Sequence, residues 1–378
     1  MQLIKNCNVV FEDRIEKNNV IIENKKIKLI TKSCDFKCDV LECDDLFLSP
    51  GFIDIHIHGT NGYDIMDNSY ESINRISKII AKSGTTSFLP TTMTYKISET
   101  NEIIHTIASS KERGTDGANI IGINLEGPFI NKDARGAHKS EFIINPTIEN
   151  FKAIVGNNEK YIKIITIAPE VCECREFIQY LNGKGIVASI GHTRATYDEA
   201  IKAIKFGISH STHIFNAMPG FHHRNPGTIG AIFDSNITTE IIADGILNSF
   251  TAVRLLCNMK NSDSIIIVSD SIKYANMAEG YYKTDDYDLS VLNGVAMLKS
   301  GVLAGSTTML NKAVKNVYKN TCLPLYEVIK MVTINPAKLC RIESKKGIIK
   351  SGFDADLILF DKNININKVI INGNLFYE

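Results

Sequence analysis

Short apolar runs recur along the middle of the chain: FIDIHIHG (52–59), TTSFLPTT (85–92), IIGINLEG (120–127), YIKIITIAP (161–169), IVASIGHT (186–193), ISHSTHIFN (208–216), TTEIIADG (238–245) and SIIIVSD (264–270). Each is followed by turn residues and then by a segment with apolar residues three and four apart, as in SYESINRISKIIAKSG and YDEAIKAIKFG. Runs of this length read as buried strands and the intervening segments as amphipathic helices. Eight strands alternating with helices predict an α/β fold with a parallel sheet, closed as a (β/α)₈ barrel. The competing open, doubly wound sheet lacks the glycine-rich dinucleotide loop expected after its first strand.

The two ends carry a different pattern. LIKNCNVV and NVIIENKKIKLI near the start, and KKGIIKSGFDADLILFDKNININKVIINGNLF at the end, alternate short β-rich runs with polar turns. They predict a small β-sandwich assembled from both termini, residues 1–49 and 344–378, flanking a barrel over residues 50–343.

Composition narrows the picture. A chain of 378 residues suits a barrel of about 250 residues plus a smaller module. Lys+Arg and Asp+Glu both number 42, so bulk charge signals no nucleic-acid partner. The start lacks the charged-then-apolar order of a signal peptide, and no apolar run is long enough for a membrane span. Nine cysteines are scattered without framework or zinc-finger spacing, the usage of a reduced, cytoplasmic protein.

The informative polar residues sit where the apolar runs end. The first ends in His56-Ile57-His58, the third in Glu126-Gly127-Pro128 and the fifth in Gly191-His192-Thr193. The sixth carries His213 and Asn216, the seventh Asp244-Gly245, and the eighth Asp270. In a (β/α)₈ barrel the C-terminal ends of all eight strands open onto one face, the face that carries active sites. His56 and His58, two apart on a strand, project to the same side. Taken singly, each residue has an ordinary structural explanation: a satisfied core histidine, a solvated carboxylate, or a helix N-cap for Asp270. Five imidazole and carboxylate groups on four strand ends, with an Asp on the last, instead predict a divalent metal site with Asp270 as general base. Imidazole together with carboxylate suits Zn²⁺ or Fe²⁺ better than Ca²⁺ or Mg²⁺. His105 reads as a helix-surface residue, and His210 as a supporting residue behind the ligands. The loop AMPGFHHRNPG, with His222, His223 and Arg224, is suited to an anionic substrate group or is simply solvated.

The order PGFIDIHIHG, LEGPF, GAH, SIGHT, THIFNAM, IADG, VSD and a terminal NPAK…GFDADLILFD resembles the amidohydrolase superfamily, and within it the N-acetylglucosamine-6-phosphate deacetylase family. The resemblance runs from about Pro50 to Asp361. It implies the barrel with a β-sandwich from both termini, and hydrolysis of the acetamide of a 6-phosphorylated N-acetylhexosamine. It further implies that Glu126, His192 and His213 hold the main metal, with His56 and His58 able to add a second, so one or two ions per subunit. His138, in Gly136-Ala137-His138, would hydrogen-bond the acetamide carbonyl. Ala137, Asn216, Ala217, Arg224, Asp244, Leu247, Leu303, Ala304 and Gly305 would contact substrate, Arg224 from the neighbouring subunit of a homodimer. One position departs from the family, which has a substrate-contacting histidine where this chain has Leu247; Asn248 is the nearest residue able to supply the hydrogen bond. Rival expectations are specificity for the galactosamine epimer, another barrel amidohydrolase, and a non-catalytic scaffold. Amidohydrolases that use a carboxylated lysine want it at the end of strand four, whereas Lys163 lies near that strand's start.

Overall fold

The chain is described here by a computed structural model covering residues 1–283 and 288–377. All eight central runs are strands: Phe52–Ile57, Thr85–Thr92, Ile123–Leu125, Ile162–Ile167, Val187–Ile190, His210–Ser211, Thr238–Ile242 and Ile265–Val268. Successive members pair in parallel. The ring closes between last and first through hydrogen bonds from Asp270 N–H to His56 O (2.9 Å) and from His58 N–H to Ser271 O (2.8 Å). Both faces of these strands are covered, so they are buried throughout rather than at alternate residues.

A helix follows each strand. The first, Tyr70–Lys82, buries Ile73, Ile76 and Ile80, three and four apart, against the barrel. Tyr197–Phe206 begins on a capping box in which Thr196 Oγ1 accepts from Glu199 N–H and Glu199 Oε2 accepts from Thr196 N–H. The helix Ile334–Leu339 packs against the first and last strands, and Asn335 ties it to the carbonyls of Ser262 and Ile265, both at 2.8 Å. None of the described helices is long and apolar enough to cross a membrane.

Both termini join in one eight-stranded sheet. Phe47–Pro50 pairs antiparallel with Leu357–Phe360, joining strands from the start of the chain to Ile366–Ile371 and Asn374–Tyr377. The sheet closes over its own core of Ile4, Val9, Val20, Leu48, Leu357 and Ile370. The fold is therefore a TIM barrel with a β-rich domain built from both ends of the chain.

One element lies outside the sequence expectations. After the eighth strand, Gly280–Lys283, Asp288–Leu292 and Val295–Leu298 form a three-stranded antiparallel sheet. Its core of Leu289, Val291 and Ala296 packs with Tyr274 and Ala304 and meets Ala137. The sequence does carry the signal, since DLSVL and VAML flank Asn293-Gly294, whose φ of 51° and 76° make the two-residue hairpin turn.

Candidate active site

Seven of the expected residues converge at the barrel mouth, and all are buried: His56, His58, Glu126, His138, His192, His213 and Asp270. The Glu126 carboxylate is at the centre. Its Oε1 lies 2.8 Å from His213 Nε2, 3.1 Å from His192 Nε2 and 3.3 Å from His56 Nε2. Its Oε2 lies 3.0 Å from His58 Nε2 and 3.3 Å from His138 Nε2. Asp270 Oδ1 stands 3.5 Å from His56 Nε2 and 3.4 Å from His58 Nε2.

The backbone is bent to aim these groups. His192, His213 and Asp270 have φ of 46°, 23° and 46°, in the left-handed region that is uncommon for non-glycine residues and that Asp and His enter more readily than most. The sixth strand ends at Ser211, two residues before His213. Gly127 serves the same end: a Cβ there would fall 2.1 Å from Thr94 Oγ1, the group placed 2.8 Å from His138 Nδ1.

The far nitrogens decide what each imidazole can do. His56 Nδ1 donates to Glu240 Oε2 at 2.9 Å, His58 Nδ1 to the Thr91 carbonyl at 3.2 Å, and His192 Nδ1 to the Ala134 carbonyl at 2.9 Å. Each acceptor has no proton to give, so in the neutral rings Nδ1 carries the proton and Nε2 presents a lone pair. His138 is the reverse. The Thr94 backbone N–H donates to its Nδ1 at 3.1 Å, so Nε2 carries the proton and is a donor rather than a metal ligand.

Electrostatics supports a cation. His56 and His58 bring their Nε2 atoms within 3.3 Å, and His192 and His213 within 3.1 Å, distances at which a proton or a cation has to lie between each pair. Burial alone would lower His58, yet Asp270 and Glu126 raise it to about 9. Burial likewise opposes His56, and Glu126, Glu240 and Asp270 lift it well above the ordinary imidazole value. Glu126 is held well below the carboxylate range by the surrounding imidazoles, against burial. His138 moves the other way: burial lowers it to about 4 and keeps it neutral. Donor type, spacing and charge thus fit a divalent cation between Glu126, His192 and His213, with His56 and His58 placed to hold a second.

A cavity of about 470 Å³ opens over the cluster. Ala137, Asn216, Ala217, Leu247, Leu303, Ala304 and Gly305 line it, as expected. Two expected contacts lie elsewhere. Asp244 turns its Oδ1 to the backbone N–H groups of Ile246 and Leu247, both at 2.9 Å, and shapes the loop. Arg224 is exposed, its guanidinium 3.0 Å from His223 Nε2, and does not line the cavity of its own chain. Asn248 does not take up the role lost at Leu247: it is buried, donates to the Ile242 carbonyl at 2.9 Å and accepts from Asn216.

Three contributors escaped the sequence reading. Glu240, mid-strand in a β-branched run, is fully buried beneath His56; a lone carboxylate inside such a run was the available signal. Thr94 sets the His138 tautomer from 44 residues away, which no local pattern reveals. Arg194 follows the GHT motif and is, among the described residues, the one Lys or Arg lining the cavity.

Comparison with known proteins agrees with this geometry. The amidohydrolase family profile matches residues 47–376. An N-acetylglucosamine-6-phosphate deacetylase of Bacillus subtilis is 34% identical over 99% of this chain and 97% of its own. An N-acetylgalactosamine-6-phosphate deacetylase of Escherichia coli O157:H7 is 30% identical over 89% of each chain. The crystal structure of the N-acetylglucosamine-6-phosphate deacetylase of Thermotoga maritima superposes with a TM-score of 0.90 at 31% identity, covering 100% of this chain and 99% of that one. With buried imidazole and carboxylate groups gathered at a barrel mouth, a family profile over most of the chain and relatives matched over nearly their whole length, the chain belongs to the amidohydrolase family.

Proposed function

We propose that the chain hydrolyses the acetamide of N-acetyl-D-glucosamine 6-phosphate, giving D-glucosamine 6-phosphate and acetate, in amino-sugar breakdown. The observation that carries this reading is the presence of two groups at one cluster: a carboxylate, Asp270, 3.4 Å from His58 Nε2, and a neutral N–H donor, His138, whose Nε2 lies 3.3 Å from Glu126. Amide hydrolysis needs both. Zn²⁺ or Fe²⁺ held by Glu126, His192 and His213, with a second ion at His56 and His58, would polarise the carbonyl and acidify water. Asp270 accepts the proton of the attacking water and later returns it to the amine, which must be protonated to leave. His138 Nε2–H donates to the carbonyl oxygen as negative charge develops there. Asp270 is held for this by hydrogen bonds from its N–H to His56 O and from Ser306 N–H to its own carbonyl, both at 2.9 Å. Gly305 permits the close approach, since a Cβ there would lie 3.1 Å from Asp270 O.

For the phosphate, Arg194 supplies a guanidinium at the cavity mouth near Asn216 and Ala217; Thr193 N–H already donates to Ala217 O at 3.1 Å. Arg224 would add a second from the partner of a homodimer, and its exposed loop is compatible with that. The nine cysteines are free, in keeping with a cytoplasmic enzyme. The residue division 1–49, 50–343 and 344–378 belongs to the same reading.

Galactosamine specificity is a second reading, favoured by the similarity to the Escherichia coli O157:H7 enzyme. The test is acetate release from both N-acetylhexosamine 6-phosphates and from the unphosphorylated sugars. Turnover of the gluco phosphate above the rest is expected; turnover of neither phosphate would defeat the reading.

A further inference from the structure

Among the buried ionisable groups that the mechanism leaves unused, Glu240 is the carboxylate standing directly behind a candidate metal ligand. Glu240 lies in the middle of the seventh strand among Thr238, Thr239, Ile241 and Ile242, and it is fully buried, out of reach of the cavity and of solvent. A carboxylate in such surroundings is costly unless its oxygens are engaged. They are. Oε2 accepts from His56 Nδ1 at 2.9 Å and from the His213 backbone N–H at 3.1 Å. Oε1 faces His210 Nε2 at 3.3 Å, and His210 Nδ1 in turn lies 2.7 Å from Thr238 Oγ1. The chain Thr238–His210–Glu240–His56 therefore runs through the barrel wall to the first-strand imidazole.

We propose that Glu240, steadied by His210, is the positioning residue that makes His56 a metal ligand and so sets whether a second cation binds beside the first. The inference rests on the metal reading of the site. A neutral imidazole free at Nδ1 divides between two tautomers and several ring orientations; an ionised carboxylate behind it selects Nδ1–H and turns Nε2 to the cluster. The effect falls first on His56, the ligand whose ring Glu240 holds: His58 is held by the Thr91 carbonyl and His192 by the Ala134 carbonyl, while His213 meets Glu240 through its backbone N–H and its Nδ1 has no hydrogen-bond partner among the described residues. Losing such a support costs about 10- to 100-fold in metal affinity.

The test uses the purified full chain, stripped with chelator and titrated with Zn²⁺ alone, with bound metal counted per subunit. The wild type should take two ions. Glu240→Leu should hold the second ion about 10- to 100-fold more weakly and the first as before. Glu240→Gln keeps a carbonyl acceptor without the charge and should fall between the two. In a His56→Ala background, Glu240→Leu should change nothing further. A wild type that binds one ion, equal weakening of both ions, or a further loss in the His56→Ala background would each overturn the proposal. If Glu240→Leu does not fold, Glu240→Gln decides: second-ion affinity equal to wild type overturns it, and selective weakening upholds it. Because the readout is metal content, failure of the deacetylase reading would appear separately, as absent acetate release from a normally loaded protein.

Discussion

Two clusters of buried charge occupy opposite ends of the barrel, and they are balanced differently. At the N-terminal ends of the strands, Lys346 is ion-paired to Asp356 and lies 3.1 Å from Asp354, which also receives Lys26 at 2.5 Å. Two lysines face two carboxylates, and the group is complete within the chain where the terminal sheet meets the barrel. At the C-terminal ends, Glu126, Asp270 and Glu240 are surrounded by imidazoles, and among the described residues no lysine or arginine pairs with them. The first cluster sets lysine charges against its carboxylates; the second leaves compensation to imidazoles, which can exchange a proton for a metal ion. Both are partly or wholly buried, so burial does not separate structure from function here. Charge balance does: an ion-pair network closed within the chain supports the fold, and an open one calls for a ligand.

The contrast can be tested from its strongest consequence downwards. Asp270→Asn removes the proton acceptor and should lower kcat by about 10²- to 10⁴-fold with metal content retained. A rate near wild type would show that the open cluster does not use Asp270 as its base. Lys346→Met opens the closed cluster by leaving Asp356 without its lysine and Asp354 with Lys26 alone. It should cost about 3 kcal/mol in denaturant unfolding while kcat of the folded protein is unchanged. A stability loss without a change in turnover is the signature of a structural network; a matching fall in kcat would contradict it.

The two ends should also respond to opposite limbs of the pH scale. Without metal, Asp270 and Glu126 raise His58 to about 9 against the effect of burial. A folded value above the unfolded one of about 6.5 gives a stabilisation that is complete below that value. It is lost as pH rises towards and through about 9. The melting temperature of the metal-free protein should therefore fall across that window, and saturating Zn²⁺ should flatten the fall. An alkaline decline indifferent to Zn²⁺ would count against the metal site. Asp354 shifts the other way: burial would raise it, but Lys26 and Lys346 hold it below the usual carboxylate value. Its contribution is present above the unfolded value of about 4 and is lost as pH falls through the lower folded value. Its share, read as the difference between wild type and Asp354→Asn, should be the same with and without metal. The smallest effect is Arg194→Ala, expected to raise KM for the phosphorylated substrate about tenfold and to leave the unphosphorylated sugar unaffected. Equal changes for both would remove Arg194 from phosphate recognition.

Much of the site was legible because barrel chemistry follows strand order. Each apolar run became a strand, and the ligand-type residues at their ends met at one face, since parallel closure leaves them nowhere else to point. What was not legible depends on partners distant in sequence. His138 and His58 are both imidazoles at the barrel mouth, yet Thr94 N–H makes one an Nε2–H donor and the Thr91 carbonyl leaves the neutral form of the other with its Nε2 lone pair facing the cluster. Asp244 resembled a substrate contact by its place at a strand end, but its carboxylate is taken by the loop that follows. Asn248 stood next to the altered Leu247, and its carboxamide is buried against Ile242 and Asn216.

By itself, the sequence determined the alternation of strand and helix, the joining of both ends in a β-rich module, and the gathering of Glu126, His192, His213 and Asp270. These follow from local periodicity and from the side-chain directions it imposes. Only the tertiary structure decided which ring nitrogen carries each proton, that Glu240 stands behind His56, and that Arg194 rather than its own Arg224 reaches the cavity. Those properties are set by single hydrogen bonds between strands far apart in the chain, and hydrophobic patterning carries no information about them.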